Sequence, residues 1–197
     1  MNVKLSIIIP STGRPTLTRT LQSIVDAGFR NGLDQLIAVS DGSNPEVRRV
    51  VQSFRSIADP LCIEGPETRC FGQMQKNVGM RAATGTHLMF IDDDDEYLPD
   101  ALVKVRSAVA QNPDRPHLFK MVGLPPRHGY GTIWRDKSVV LGNVGTPMIV
   151  APNVREKLGT WGEHYCGDFD FIHATSQLHD GNHARTVWVD EVIARIH

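Results

Sequence analysis

Four consecutive carboxylates, Asp92-Asp-Asp-Asp95, follow directly on the apolar run Leu88-Met-Phe-Ile91. A run of that length suits a buried strand, and ionised groups do not follow such a strand into a core without partners. The strand therefore delivers acid to a surface or cleft. Adjacent like charges repel, and a bound cation relieves the repulsion. Hard oxygen donors in a short turn suit Mg²⁺ or Mn²⁺, which keep positions free for substrate phosphates when one or two carboxylates hold them. The competing role for these residues is to cap the next helix, whose N-terminus favours negative charge. Asp100, after Pro99, already stands where a cap is needed.

Other reactive side chains are more scattered. Cys62, Cys70 and Cys166 are odd in number and lack the paired spacing of a zinc or redox motif, which makes them free thiols of a reducing compartment. His179 and His183 stand four apart with no further ligands nearby, so they read as surface or hydrogen-bonded core residues. The segment 159–168 gathers Trp161, Glu163, His164 and Tyr165, a polar and aromatic set suited to a sugar-like substrate.

The elements that must position these groups alternate in type. Leu5-Ser-Ile-Ile-Ile-Pro10 is a β-branched run closed by proline, as in a central parallel strand. Apolar spacing predicts helices over 16–27, from Pro45 to Phe54, over 73–83 and over 100–110, and strands over 35–39, 61–63 and 88–91. This is an open α/β sheet, in which ligands collect beyond the carboxyl ends of the strands. Residues 11–14, Asp41 and 92–95 are thus expected in one crevice. The second half is less regular. Strands are expected over 117–122, 132–134, 147–150, 186–189 and 192–196, a turn over 123–131, and helices over 153–158 and 170–178.

The 197 residues carry 41% hydrophobic and 22% charged side chains, fit for one globular domain over 1–197. A formal net charge of −1 without a basic stripe argues against a nucleic-acid partner. The apolar run at 5–9 is too short for a secretory signal, and no later run reaches bilayer length. A cytoplasmic protein without a transmembrane segment is expected, with peripheral membrane contact left open.

Several of these stretches resemble glycosyltransferase family 2, inverting enzymes with the nucleotide-sugar-binding GT-A fold. They are Leu5-Ser-Ile-Ile-Ile-Pro-Ser-Thr-Gly-Arg-Pro15, Val39-Ser-Asp-Gly-Ser43, Lys76-Asn-Val-Gly79 with Ala83-Thr-Gly85, and Phe90-Ile-Asp-Asp-Asp-Asp95. A later series, Gly145-Thr-Pro-Met-Ile-Val150, Lys157-Leu-Gly159 and Gly167-Asp-Phe-Asp-Phe171, is similar to the family's acceptor side. The resemblance implies a Rossmann-like, mostly parallel sheet flanked by helices, with a nucleotide-sugar half over 1–111 and a smaller mixed acceptor half over 112–197.

It further implies a nucleoside-diphosphate sugar donor, a UDP-sugar in the first instance, and Mn²⁺ or Mg²⁺ as cofactor. Pro10, Thr12, Arg14, Lys76, Asp92 and Asp93 would line the donor, and Asp94 would be the best direct metal ligand. Asp41 would accept from a base N–H, or else simply form a turn before Gly42. Lys76, where the family often has Arg, keeps a charge for phosphates without the planar fork. Its alternative is a solvated helix lysine. Asp168 stands where the family places its general base, with Asp170 or Glu163 as substitutes and a helix cap as the plain alternative. His197 stands where some GT-A enzymes supply a metal-binding histidine, or is a frayed end.

The implied acceptor is a glycan, a lipid-linked sugar or a small molecule, and a homo-oligomer is compatible with the short second half. Two competing functions are a non-catalytic sugar-nucleotide sensor and a sugar-1-phosphate nucleotidyltransferase. The latter is disfavoured because Pro10-Ser-Thr-Gly-Arg14 holds a single glycine where a phosphate loop needs several.

Overall fold

The computed structural model describes residues 2–123, 132–181 and 185–197. β1 (Leu5–Ser11) is buried along its whole length, as a strand apolar on both faces must be. α1 (Leu17–Asp26), β2 (Gln35–Ser40), α2 (Pro45–Ser53), the single turn α3 (Arg55–Ala58), β3 (Leu61–Glu64), α4 (Gln73–Ala82) and β4 (His87–Phe90) follow. Asn44 caps α2 by accepting from the amides of Glu46 and Val47, and Pro45 opens the first turn. Then come β5 (Glu96–Tyr97), α5 (Ala101–Gln111), β6 (His117–Gly123), β7 (Thr132–Ile133), β8 (Ile149–Pro152), α6 (Gly167–Asp180) and β9 (Val187–Ile196).

Among the described residues the strands form one nine-stranded mixed sheet, ordered β3-β2-β1-β4-β8-β6-β9-β5, with β7 on β6. β3, β2, β1 and β4 run parallel. β8 is antiparallel to both β4 and β6, and β6 is parallel to β9. The chain leaves β1 for β2 and β3 on one side and returns on its other side as β4. The ends of β1 and β4 therefore bound the switch point where open sheets bind ligands. Ile7, Ile9, Leu88 and Phe90 of the sheet and Leu17, Leu21, Ile24 and Val47 of the helices lie wholly inside.

α4 differs from its neighbours because it buries polar residues, Gln73, Gln75, Lys76 and Asn77. Gly79 lets it do so. A Cβ there would come within 2.4 Å of Ile8 Cγ2, so only glycine permits this close approach to β1.

The second half departs from the expected boundaries for physical reasons. Residues 146–148 make a 3-10 turn opened by Pro147, and the strand expected from 147 starts at Ile149 instead. The helix expected over 153–158 is a 3-10 turn, Arg155–Lys157. The two closing strands are a single β9, whose register shifts against β6 around Lys120 accommodate the charged Asp190 and Glu191. Asp100 precedes α5 in the left-handed conformation, φ 61°, and makes no side-chain capping bond. A residue so placed does not aim its carboxylate at the first helical amides as an extended cap does. The turn expected over 123–131 and His183 lie outside the described residues, the turn from 124 onward. No helix among the described residues is long and apolar enough to cross a membrane.

Candidate active site

The first loop and the acidic run meet at the switch point. Asp93, buried, accepts from Ser11 Oγ at 2.7 Å and from the Thr12 amide at 3.1 Å. Burial pushes its carboxyl above the usual range, against the pull of Ser11 and Arg14. Arg14 donates to Asp94 and lies 3.5 Å from Asp93. Pro10 closes β1 against Gly72, where a Cβ would come within 2.6 Å of the proline ring. The Asp41 amide donates to the Ser11 carbonyl, so the end of β2 joins the same crevice.

The Asp41 carboxylate is already engaged. It accepts from the amides of Thr68 and Arg69 at 2.7 and 2.9 Å and from Gln75 Nε2 at 2.8 Å. These bonds fold residues 65–72 over the end of β2. Asp41 therefore does more than form a turn before Gly42. Gln75, which sequence reading did not single out, holds both Asp41 and the Pro66 carbonyl.

Lys76 is not a solvated helix lysine. It is 1% exposed, with Nζ 2.8 Å from Asp92 Oδ1 and 3.4 Å from Thr146 Oγ1. Trp161 covers it, the ammonium lying 4.6 Å from the ring centre. Trp161 is itself a core residue, stacked flat on Phe171 at 4.5 Å and edge-on to Phe90. Of the aromatic and polar set in 159–168, Glu163, His164 and Tyr165 are exposed while Trp161 turns inward.

Asp168 lies inside the first turn of α6, after Cys166 at the cap position, so it is not the helix cap. It is half-buried and accepts from the Phe169 amide at 2.7 Å, and its Oδ2 lies beside Gly145. Burial raises its carboxyl above the ordinary range, and Asp92 adds to the effect while Lys76 opposes it. The series Asp168, Gly145-Thr146, Lys76, Asp92 thus runs contiguously from the mixed half of the sheet to the parallel half. Asp170 pairs with exposed His164 at 2.5 Å.

His197 follows β9 and is held there. Its amide donates to Asp95 Oδ1 at 3.1 Å, and its ring lies 2.6 Å from Glu96 Oε1. Arg19 reaches the same carboxylate at 3.2 Å. Buried Asp95 is pushed up to about 8, by burial first and by the charge of Asp92 second. Among the described residues no three carboxylate, imidazole or thiolate groups converge on a point where an ion could sit. The carboxylates are nonetheless hard oxygen donors of the kind Mg²⁺ or Mn²⁺ takes one or two at a time, the rest coming from a diphosphate. Cys62, Cys70 and Cys166 are free thiols.

The profile of Glycosyl transferase family 2 matches residues 6–116, more than half of the chain, and the chain belongs to that family. An uncharacterised glycosyltransferase of Haemophilus influenzae is 34% identical over 114 residues, 56% of this chain and 36% of that protein. The Campylobacter jejuni protein named GalNAc(5)-diNAcBac-PP-undecaprenol beta-1,3-glucosyltransferase is 31% identical over 107 residues, 50% of this chain and 32% of its own. The chain thus spans about a third of the length of the curated relatives it matches.

Among solved structures, Staphylococcus aureus TarS 1-349 with UDP-GlcNAc superposes with a TM-score of 0.82 at 16% identity. That match covers 98% of this chain and 58% of the other. The mannosyltransferase PcManGT of Pyrobaculum calidifontis, with GDP-Man and Mn²⁺, gives 0.73 at 15% identity over 99% of this chain and 57% of the other. At such identities the likeness establishes the GT-A fold.

Proposed function

We propose that the chain transfers a sugar from a nucleoside-diphosphate sugar to an acceptor hydroxyl with inversion at the anomeric carbon. The observation that carries this reading is the contiguous series from Asp92, at the end of β4, through Lys76 and Thr146 to Asp168 on α6. Acidic groups for a diphosphate face a carboxylate on the far side of one crevice, as an in-line displacement needs. Asp168 takes the acceptor proton as the oxygen attacks, and a carboxyl made more basic by burial suits that role. Asp41 accepts from the base N–H, which requires it to exchange one of its bonds to Thr68, Arg69 or Gln75. Pro10, Thr12, Arg14 and Asp93 shape the diphosphate side.

Asp94, with His197, would hold a divalent ion. When bound, it supplies neutralisation of the charge that develops on the departing diphosphate. A uridine nucleotide is favoured as donor because TarS was solved with both UDP-GlcNAc and UDP. Mn²⁺ or Mg²⁺ is favoured because PcManGT was solved with Mn²⁺. The acceptor is a glycan, a lipid-linked sugar or a small molecule, the lipid-linked class drawing support from the name of the Campylobacter relative.

The test is a thermal-shift panel of UDP, GDP and dTDP with and without Mn²⁺, followed by a donor screen that reads released diphosphate. A nucleotide that raises the melting temperature in a metal-dependent way is expected. No shift with any nucleotide in either condition overturns the donor site. A sugar-nucleotide sensor would show the shift but no transfer with any donor.

A further inference from the structure

Lys76 is a cationic side chain with almost no exposure to solvent. It sits on α4 at 1% exposure, and an ammonium so enclosed must be compensated by partners of opposite charge or dipole. Three separate segments supply them. Asp92 Oδ1 lies 2.8 Å away at the end of β4, Thr146 Oγ1 lies 3.4 Å away in the turn before β8, and the Trp161 face lies 4.6 Å away. Cation and ring are then within the range where the attraction is appreciable, more so when both are dry.

The local sequence builds this position. Gly79, one turn further along α4, brings the helix against Ile8. Asn77, the next residue, clamps Trp161 in both directions: it accepts from the Trp161 amide at 3.1 Å and donates to the Trp161 carbonyl at 2.9 Å. Trp161 stacks on Phe171, which shares α6 with Asp168. Lys76-Asn-Val-Gly79 therefore ties one buried charge to both sides of the crevice. Enclosed under Trp161 and paired to Asp92, its Nζ is poorly placed to meet a phosphate.

We propose that Lys76 is a positioning residue: it fixes the Asp92 carboxylate and, reaching Thr146 next to the Gly145 that Asp168 lies beside, supplies the counter-charge for the proposed base. This rests on the reading of Asp168 given above. The charges that bear on Asp168 are Lys76 from α4, in favour of ionisation, and Asp92 from the end of β4, against it. Burial also works against it, and without the ammonium only backbone amides, Phe169 first, still favour the ionised form against burial and Asp92.

The experiment combines carboxyl NMR titration of ¹³C-Asp-labelled protein, with Asp168→Asn to assign the signal, and calorimetry with UDP and Mn²⁺. Lys76→Met keeps the length of the stem and its contact with Trp161 while removing the charge. The Asp168 midpoint should rise by about one pH unit. The UDP dissociation constant should change less than about threefold, whereas loss of a phosphate ligand would raise it about tenfold or more. Asp92→Asn removes the opposing charge and should lower the Asp168 midpoint, which keeps the test available if Lys76→Met does not fold. An unmoved midpoint in whichever of these variants folds, or a tenfold loss of UDP affinity in Lys76→Met, overturns the proposal. Failure of the base reading shows elsewhere, as wild-type transfer by Asp168→Asn, and leaves the NMR result standing.

Discussion

On the parallel side of the crevice the carboxylates are already met by the protein: Asp41 by loop amides, Asp92 by Lys76, Asp93 by Ser11 and Thr12, Asp94 by Arg14. On the mixed side Asp168 accepts from the amide of its own neighbour Phe169, beside Gly145. One side is a preassembled acidic frame, whose donors hold each acid in a set direction. The other presents Asp168, a carboxyl that burial has made more basic, as it has Asp93 and Asp95 in the frame. In the proposed roles, groups that bind charge gain from being held rigidly, whereas a group that moves a proton gains from a raised affinity for it.

This division of labour can be broken most decisively at Asp168. Asp168→Asn should lower kcat by about 10²–10⁴-fold while the dissociation constant for UDP stays near its original value. Comparable losses of binding and turnover would erase the distinction between the two sides. On the opposite side, Asp94→Ala should abolish the metal-dependent part of UDP stabilisation, roughly 5 °C or more at saturating ligand, with circular dichroism unchanged.

A milder effect sharpens the picture at Asp41. Replacing it by Asn weakens three charge-assisted bonds, so residues 65–72 should become more protease-sensitive and UDP should bind about tenfold more weakly. Weaker UDP binding with unchanged protease sensitivity would assign Asp41 to the base alone.

The smallest effect belongs to the floor where the two sides join. His87 on β4 and His117 on β6 flank β8, both buried and both held neutral, His117 pushed down to about 4 by burial first. A histidine with a folded value below its unfolded one is protonated first in the unfolded chain. Stability should therefore be complete above about pH 6.5 and fall as the pH drops toward 4. His117→Phe should flatten that decline by on the order of 2 kcal/mol in urea titrations, with activity at neutral pH retained.

The two sides also differ in how far sequence alone reveals them. Over residues 5–91 the alternation of apolar runs with helical stripes located β1 to β4 and α1, α2 and α4 within a residue or two. β1, β2 and β4 are parallel strands buried on both faces, which leaves little latitude. Past residue 112 short strands are set by pairing with distant partners. Hence the strand start at Ile149, the 3-10 turn at 155–157 and the fusion of two predicted strands into β9 escaped local pattern.

The acidic run at the mouth of β4, the loop after β1 and Asp41 after β2 were visible as residue types at element ends, and Asp168 through the family resemblance of its Gly-Asp-Phe-Asp-Phe series. Order along the chain determined that much, because a strand's length and polarity decide where it must leave the core. Which partner each acid takes was decided only in three dimensions. Lys76 read as a charge for phosphates or a solvated helix lysine until α4 met β1 at Gly79, and Trp161 read as part of a sugar-binding set until Phe171 drew it inward. Those contacts join residues ten to more than eighty positions apart in the chain, and no local pattern encodes them; only the packed sheet brings such charges and rings within a few ångströms of each other.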